Sequence, residues 1–368
     1  MKRLTLCLAV IVAMAGLVLV GCTQAQPQQE PTKAPAAATK ATDPAKTAEP
    51  TKVAANSTTA PTKKIDYPAK GKSINLIVPF SAGGVGDIAA RVTASMMEKD
   101  LGTSIQIVNK SGAGGQAGMT EVSLAKPDGY TVGWCAPASL ISSYVDPERQ
   151  AAYSRKSFAP IGINSRSTFN LVVKADSPYK TLKDFIDDAK ARPDKVTVGI
   201  AAPMSSIHFV LLTMNQAWGT KLAPVSFDAA PRMTNLLGGH LDASIHQTPE
   251  VVPQLKSGNI RVLAVLDNKE TRFLPGVKTA AAQGYELPNQ GLMSQYQGAY
   301  VPASVPSDIV NALADSMKRT LESPDMKTKL DELYFDPQFM GPAEFGTLWD
   351  QTEVDLQRIY KEVGASKK

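Results

Sequence analysis

Ile74-Asn75-Leu76-Ile77-Val78-Pro79-Phe80-Ser81-Ala82-Gly83-Gly84-Val85-Gly86-Asp87-Ile88-Ala89-Ala90-Arg91 is the stretch on which the fold turns. Residues 74–78 form a short apolar run with the pattern of a buried strand. Pro79 and the Gly83-Gly84 pair interrupt it, and a helical pattern follows from residue 87 to about 101. The same rhythm continues with a strand at 105–108, a Gly-rich turn, a helix from 116 to about 125, the turn Pro127-Asp128-Gly129 and a strand at 130–135. A second series begins at 169–173. There Thr181 and Asp184 have the spacing of a capping box opening a helix to about 192. Strands at 196–200, 222–227, 241–245 and 261–265 alternate with helical runs, including 206–218. After a strand at 296–301 the ending is helical, at 307–321, 325–333 and 345–363. Phe345, Leu348, Trp349, Thr352, Leu356 and Ile359 recur at helical spacing there, as a packing face does. Strand–helix alternation on this scale predicts an α/β protein with parallel sheets flanked by helices.

The whole chain has 368 residues, 43% apolar and 20% charged. That composition suits a large packed core and excludes wholesale disorder and a multi-span membrane protein. The length suggests two domains. Cys7, Cys22 and Cys135 are too few for a disulfide framework.

The N-terminus departs from the rest. Met1-Lys2-Arg3 precedes an apolar run over residues 4–20, broken only by Thr5 and closing on Leu19-Val20-Gly21-Cys22. This is the pattern of a secretory signal over residues 1–21, with Cys22 placed like the lipidated cysteine of a bacterial lipoprotein. Two acyl chains suffice for stable anchoring; the alternative is an uncleaved membrane anchor. Residues 22–66 then form the anchor cysteine and its tether. From 23 to 66 there are 11 Ala, 9 Thr and 6 Pro and no aromatic residue. Such a segment buries too little apolar surface to offset its ordering entropy, so a disordered leash of roughly 35–40 Å is expected.

The formal charge of +5 belongs mostly to these leading segments. With Lys2, Arg3 and the six tether lysines set aside, 31 basic residues face 30 acidic ones from Tyr67 onward. A nearly neutral body offers no electrostatic footprint for nucleic acid.

Gly83 and Gly84 let the backbone approach a ligand closely, and they precede a helix whose first N–H groups point outward. Such an end stabilises an anion through unpaired donors and the helix dipole. It also falls outside the carboxyl end of a strand, where open α/β sheets hold ligands. Phe80, Ser81, Ala82, Gly83, Gly84 and Asp87 are therefore candidate binding residues. The alternative is a tight strand-to-helix turn with Asp87 simply favouring the helix start; in a binding loop Asp87 would act through water or only shape the loop. Gly112-Ala113-Gly114-Gly115-Gln116-Ala117 fits the dinucleotide fingerprint, but the next strand ends Gly133-Trp134-Cys135-Ala136 with no acid to hold a ribose. A close backbone turn is the better reading, and no cofactor is expected. Ser139, after the strand at 130–135, suits either a carboxylate donor or a helix cap.

The stretch from Ile77 to Arg91 closely resembles the opening motif of the substrate-binding receptors of tripartite tricarboxylate transporters, the Bug-type proteins. The likeness continues through Val108-Asn109-Lys110-Ser111-Gly112-Ala113-Gly114-Gly115, Asp128-Gly129-Tyr130-Thr131 and Phe158-Ala159-Pro160-Ile161-Gly162. It extends to Leu236-Leu237-Gly238-Gly239-His240-Leu241-Asp242 and Tyr300-Val301-Pro302-Ala303-Ser304-Val305-Pro306, covering nearly all of residues 70–365. The resemblance implies a two-lobed, type II-like periplasmic-binding-protein fold, each lobe a mostly parallel sheet flanked by helices. Lobe 1 would comprise 67–165 and 291–368, and lobe 2 would comprise 166–290. It further implies an exported receptor, held at the outer face of the cell membrane, that takes a small organic carboxylate in the interlobe cleft and passes it to membrane permease subunits.

In lobe 2 the resemblance points to Ser205, Ser206 and His208, where the family has a small-residue loop followed by a histidine. His208 suits a structural bond to nearby backbone as well as a ligand contact. Pro203 and Met204 depart from the pattern, which makes a partly apolar or aromatic carboxylate more plausible. Phe227-Asp228-Ala229 stands where the family often has an aromatic-Lys-Gly turn. Asp228 would then disfavour highly charged anions, or serve as a solvated turn residue.

Rival readings are an enzyme and a sensor. His208, His240 and His246 lack metal-ligand spacing, no hydrolase or P-loop motif is present, and Cys135 reads as a small buried residue. An enzyme and a metal site are not expected. A receptor presenting its ligand to a membrane signalling partner shares every feature with a transport receptor.

Overall fold

The computed structural model describes residues 66–365 apart from Asp228 and Asn289. The signal, Cys22, all of the tether before Asp66, and Asp228 lie outside the described residues. β1 (Ile74–Val78) hands over through the quoted loop to α1 (Val85–Leu101), which stops at Gly102 in the left-handed region, its N–H donated to the Glu98 carbonyl. β2 (Ile105–Asn109), α2 (Gln116–Ser123), β3 (Thr131–Cys135) and α3 (Pro137–Val145) complete the first series. β4 (Phe158–Lys174) follows, then α4 (Leu182–Ala191), β5 (Thr197–Ile200), α5 (Ser206–Trp218) and β6 (Ala223–Ser226). Next come α6 (Ala229–Leu237), β7 (Ala243–Gln247), α7 (Thr248–Lys256), β8 (Ile260–Val265) and the single-turn α8 (Gln290–Met293). The chain closes with β9 (Ser294–Pro302), α9 (Ser307–Glu322), α10 (Pro324–Glu332), β10 (Asp336–Met340) and α11 (Pro342–Ala365). Thr181 and Asp184 cap α4 reciprocally, as their spacing predicts.

The strands join in the order β2-β1-β3-β9-β4-β7-β5-β6, with β8 and β10 also paired to β4. Parallel pairing between these strands is confined to β1 with β2 and β3, and β5 with β6 and β7. Everything through the middle is antiparallel, because β4 leaves the first half of the sheet and β9 returns to it. The sheet is therefore mixed: each expected parallel series is present, and an antiparallel band joins the two. β4 runs unbroken through residues 165 and 166, the expected lobe boundary. Its centre is polar yet buried, at Asn164, Ser165, Ser167, Thr168 and Asn170. Ser167 Oγ donates to Gln247 Oε1 at 3.0 Å, and the Thr168 and Thr248 hydroxyls pair at 2.8 Å, so these groups are satisfied without water.

α1, α9 and α10 cover one face of the first half over Leu76, Val78, Ala90, Met97 and Leu313. α3, α5 and α11 cover a core continuous across both halves, through Leu140, Phe158, Phe169, Phe209 and Trp349. Each such fully buried apolar side chain contributes about 1.5–3 kcal/mol. The α11 stripe is a packing face, with Phe345, Trp349, Thr352, Leu356 and Ile359 all buried. These two layers set the carboxyl ends of β1, β3, β5 and β7 on a common seam.

Candidate ligand-binding site

The loop after β1 is held from beneath. Asp87, 2% exposed on the first turn of α1, accepts the Gly83 N–H at 2.8 Å and bonds from Arg91 Nε at 2.8 Å and Nη2 at 3.0 Å. Asn109 at the end of β2 donates through one Nδ2 to Asp87 Oδ1 at 2.9 Å and to the Phe80 carbonyl at 3.0 Å. Burial alone would raise the Asp87 pKa, but the bonds from Arg91, Gly83 and Asn109 outweigh it and hold the carboxyl below its ordinary value. Asp87 thus shapes the loop and leaves Ser81, Ala82 and Gly83 exposed above it. Gly83 has φ +80°, which favours glycine, whereas Gly84 is extended at φ −73°. Gly84 is the N-cap of α1 and provides no side-chain cap, so the first N–H groups of the helix face outward without one.

Removing this clamp has a defined cost. Asp87→Ala should lower stability by about 1–3 kcal/mol, through the donors it leaves unmatched, and should weaken ligand binding; urea melts and calorimetry check both. The pH dependence has a fixed sign. A depressed carboxyl stabilises the fold above its unfolded value, 3.8, and that stability is lost as the pH falls through the lower folded value. The acid-side loss of stability should be smaller in Asp87→Ala.

Across the seam, Ser205 caps α5, its Oγ accepting the N–H groups of His208 and Ala202 at 3.3 Å each. Ser206 Oγ lies 3.4 Å from Ser139 Oγ, so the first turns of α3 and α5 meet directly. Ser139 is not the cap of α3; Ala136 holds that position without a side-chain bond. His208 turns Nδ1 to the Met204 N–H at 2.8 Å, which fixes the loop before α5 and gives the histidine a structural bond there. Met204 sits at φ +55° with its side chain packed on the continuous core. Part of its apolar bulk is thus used within the fold. Pro203 offers no N–H, but its carbonyl accepts from Arg149 Nη2 at 2.8 Å.

Arg149 was not expected at the site. Its guanidinium lies over the Gly-rich turn, where a Cβ on Gly114 would come within 3.2 Å of Nη1, and one on Gly115 within 3.1 Å of the Phe80 ring. The run 112–115 is thus a close backbone turn with positive φ at every residue, supporting the first loop and receiving Arg149. Nothing in Pro147-Glu148-Arg149 marks this role in sequence. Gln295 and Gln297 were missed too. They are the polar members of a period-two alternation in β9, a signal visible in Ser294-Gln295-Tyr296-Gln297.

Other reactive groups are occupied. Burial pushes the Cys135 thiol up to about 12, which keeps it protonated at neutral pH. His246 is fully buried between Ser244, Arg232 and Glu250. No group of three or more His, Cys, Asp or Glu side chains suited to a metal occurs among the described residues, and none of the helices among them is long and apolar enough to cross a membrane.

The arrangement of loops and seam can be set beside known proteins. The family model described as the tripartite tricarboxylate transporter family receptor matches residues 89–364. The chain belongs to this receptor family. A UPF0065 protein of Cupriavidus necator, from the gbd 5' region, is 28% identical over 302 residues, which is 80% of this receptor and 89% of the relative. The periplasmic binding protein BugD aligns with a TM-score of 0.70 at 26% identity, covering 80% of this receptor and 98% of BugD. R. palustris Rpa4515, solved with adipate, aligns with a TM-score of 0.72 at 26% identity, covering 81% and 99%. The α/β architecture of this receptor is that of the periplasmic solute-binding proteins.

Proposed function

We propose that this receptor captures a small organic carboxylate between two lobes, 67–165 with 291–368 and 166–290, and delivers it to the permease subunits of a tripartite transporter. The observation that carries the reading is the Asp87-clamped loop, with Ser81, Ala82 and Gly83 exposed before an α1 start that has no side-chain cap; the meeting of Ser139 and Ser206 at the first turns of α3 and α5 supports it. Oriented donors at a helix start favour an anion where the body has almost no net charge. The adipate held by Rpa4515 supports a carboxylate as that anion. Phe80, Ser81, Ala82, Gly83 and Gly84 form the first wall, Ser139, Ser205 and Ser206 the second, and Asp87 and His208 hold their loops.

The chain is exported and anchored to the outer face of the membrane through a lipid on Cys22, which the apolar run before Gly21-Cys22 supports. No catalytic step is assigned. Calorimetric titration of the full chain, kept soluble in detergent, with mono-, di-, tri- and aromatic carboxylates tests the reading. Saturable binding of at least one class is expected; binding only of sugars or metal ions, or of nothing, overturns it. Growth with radiolabelled palmitate should place label on the wild-type chain and none on Cys22→Ala if the anchor is correct.

A further inference from the structure

Gln295 and Gln297 stand on the same face of β9, opposite Ser167 and Ser165 of β4. Cys135, the last residue of β3, pairs with Gly298, so both glutamines lie beyond the carboxyl end of β3, on the seam. They are 7% and 2% exposed, and the Oε1 of each is buried with no hydrogen-bond partner among the described residues. Gln297 Oε1 points at the first turn of α1: a Cβ on Gly86 would lie 3.6 Å from it.

A buried carbonyl left without a donor is costly, and most buried polar atoms avoid it. Gln297 Oε1, beside a helix start built from donors, forms a complementary surface to it, with Gln295 on the same face of β9. The helix end takes negative oxygen, and the amide oxygens take hydrogen.

We infer that Gln297, with Gln295 beside it, is a specificity-determining residue that accepts a hydrogen bond from a hydroxyl or ammonium group of the ligand. The ligand class is thereby narrowed to carboxylates that also bear a donor. This rests on the carboxylate reading above. A site built to satisfy such a donor discriminates against the analogue without it, because the acceptors are then left buried and unpaired.

The test is calorimetry on the full chain with matched probes: succinate against malate and aspartate, and adipate against 3-hydroxyadipate. In the wild type, at least one donor-bearing probe should bind about 10-fold or more tighter than its partner. Gln297→Leu should bring that probe to within about 3-fold of its donor-free partner, whose own affinity stays within about 3-fold of wild type. Equal affinities within every pair in the wild type overturn the inference and leave the carboxylate reading standing; water then fills the acceptors. A preference that survives in both Gln297→Leu and Gln295→Leu overturns it too. Binding of none of these probes, with no carboxylate bound in the wider titration, overturns both readings. The wild-type comparison needs no variant, so a misfolded Gln297→Leu does not remove the test.

Discussion

Replacing Gly84 with valine should abolish carboxylate binding, by at least about 100-fold in Kd, or about 2.7 kcal/mol, while the protein stays folded. The two halves of this expectation have separate causes. Gly84 has φ −73° and ψ 163°, a conformation that β-branched residues adopt readily. A Cβ there meets only the Ser81 carbonyl oxygen, at an ordinary 3.5 Å. The Gly83–Asp87 clamp is untouched, so thermal melting should hardly move. Outside the backbone, however, valine's methyl groups would occupy the space through which a carboxylate reaches the first N–H groups of α1. Gly83→Val is a different experiment. It forces a β-branched residue to φ +80°, and loss of binding there would not separate strain from blockage. Unchanged affinity in Gly84→Val, measured by the same titration as the wild type, would remove this loop from the site.

The difference between these neighbouring glycines shows how far sequence reading reaches. The strand at 74–78 and helix α1 follow from apolar periodicity and the glycine break, and the parallel series on each side follows from repetition of that unit. Asp87 and Arg91 are four apart on a helix, so their pairing is also legible. The Asn109 bond to Asp87 is not, since it depends on the register of β2 against β1.

β4 is the clearest case of hidden structure. The family resemblance sets a lobe boundary between Ser165 and Arg166, inside the polar run Asn164, Ser165, Ser167, Thr168 and Asn170. They form continuous strand because β9, β7 and Thr93 of α1 provide the partners their side chains need. Arg149 is illegible for a similar reason. Its value to the site lies in the Pro203 carbonyl across the seam, 54 residues away, and in the absence of a side chain on Gly114. Local pattern reports what a residue is, and partners distant in sequence decide what a buried polar residue does.

That rule has its largest energetic consequence away from the ligand. Arg232 is 2% exposed, with Nη2 3.4 Å from Glu250 Oε1 and 3.4 Å from His246 Nδ1. Burial lowers the His246 pKa, which keeps the imidazole neutral at pH 7 and leaves Glu250 as the carboxylate opposite Arg232. Burial would raise Glu250, but His246, Arg232 and the Gln247 N–H hold it below its ordinary value. Glu250→Ala removes the carboxylate that bonds Arg232, His246 and the Gln247 N–H, so it should cost about 1–3 kcal/mol. Asp350→Ala, which breaks the exposed ion pair with Arg155, should cost under about 1 kcal/mol. The wild type should also lose stability in two steps on acidification. A depressed His246 lets the unfolded chain take up its proton first, so stability falls as the pH drops below 6.5. A depressed Glu250 contributes stability above 4.5, which is lost as the pH falls through its lower folded value. Urea denaturation of wild type and both variants at pH 7, 5.5 and 4 separates these contributions. If Glu250→Ala and Asp350→Ala prove equally mild at pH 7, the cluster of Arg232, His246 and Glu250 is not what holds α7 against β7.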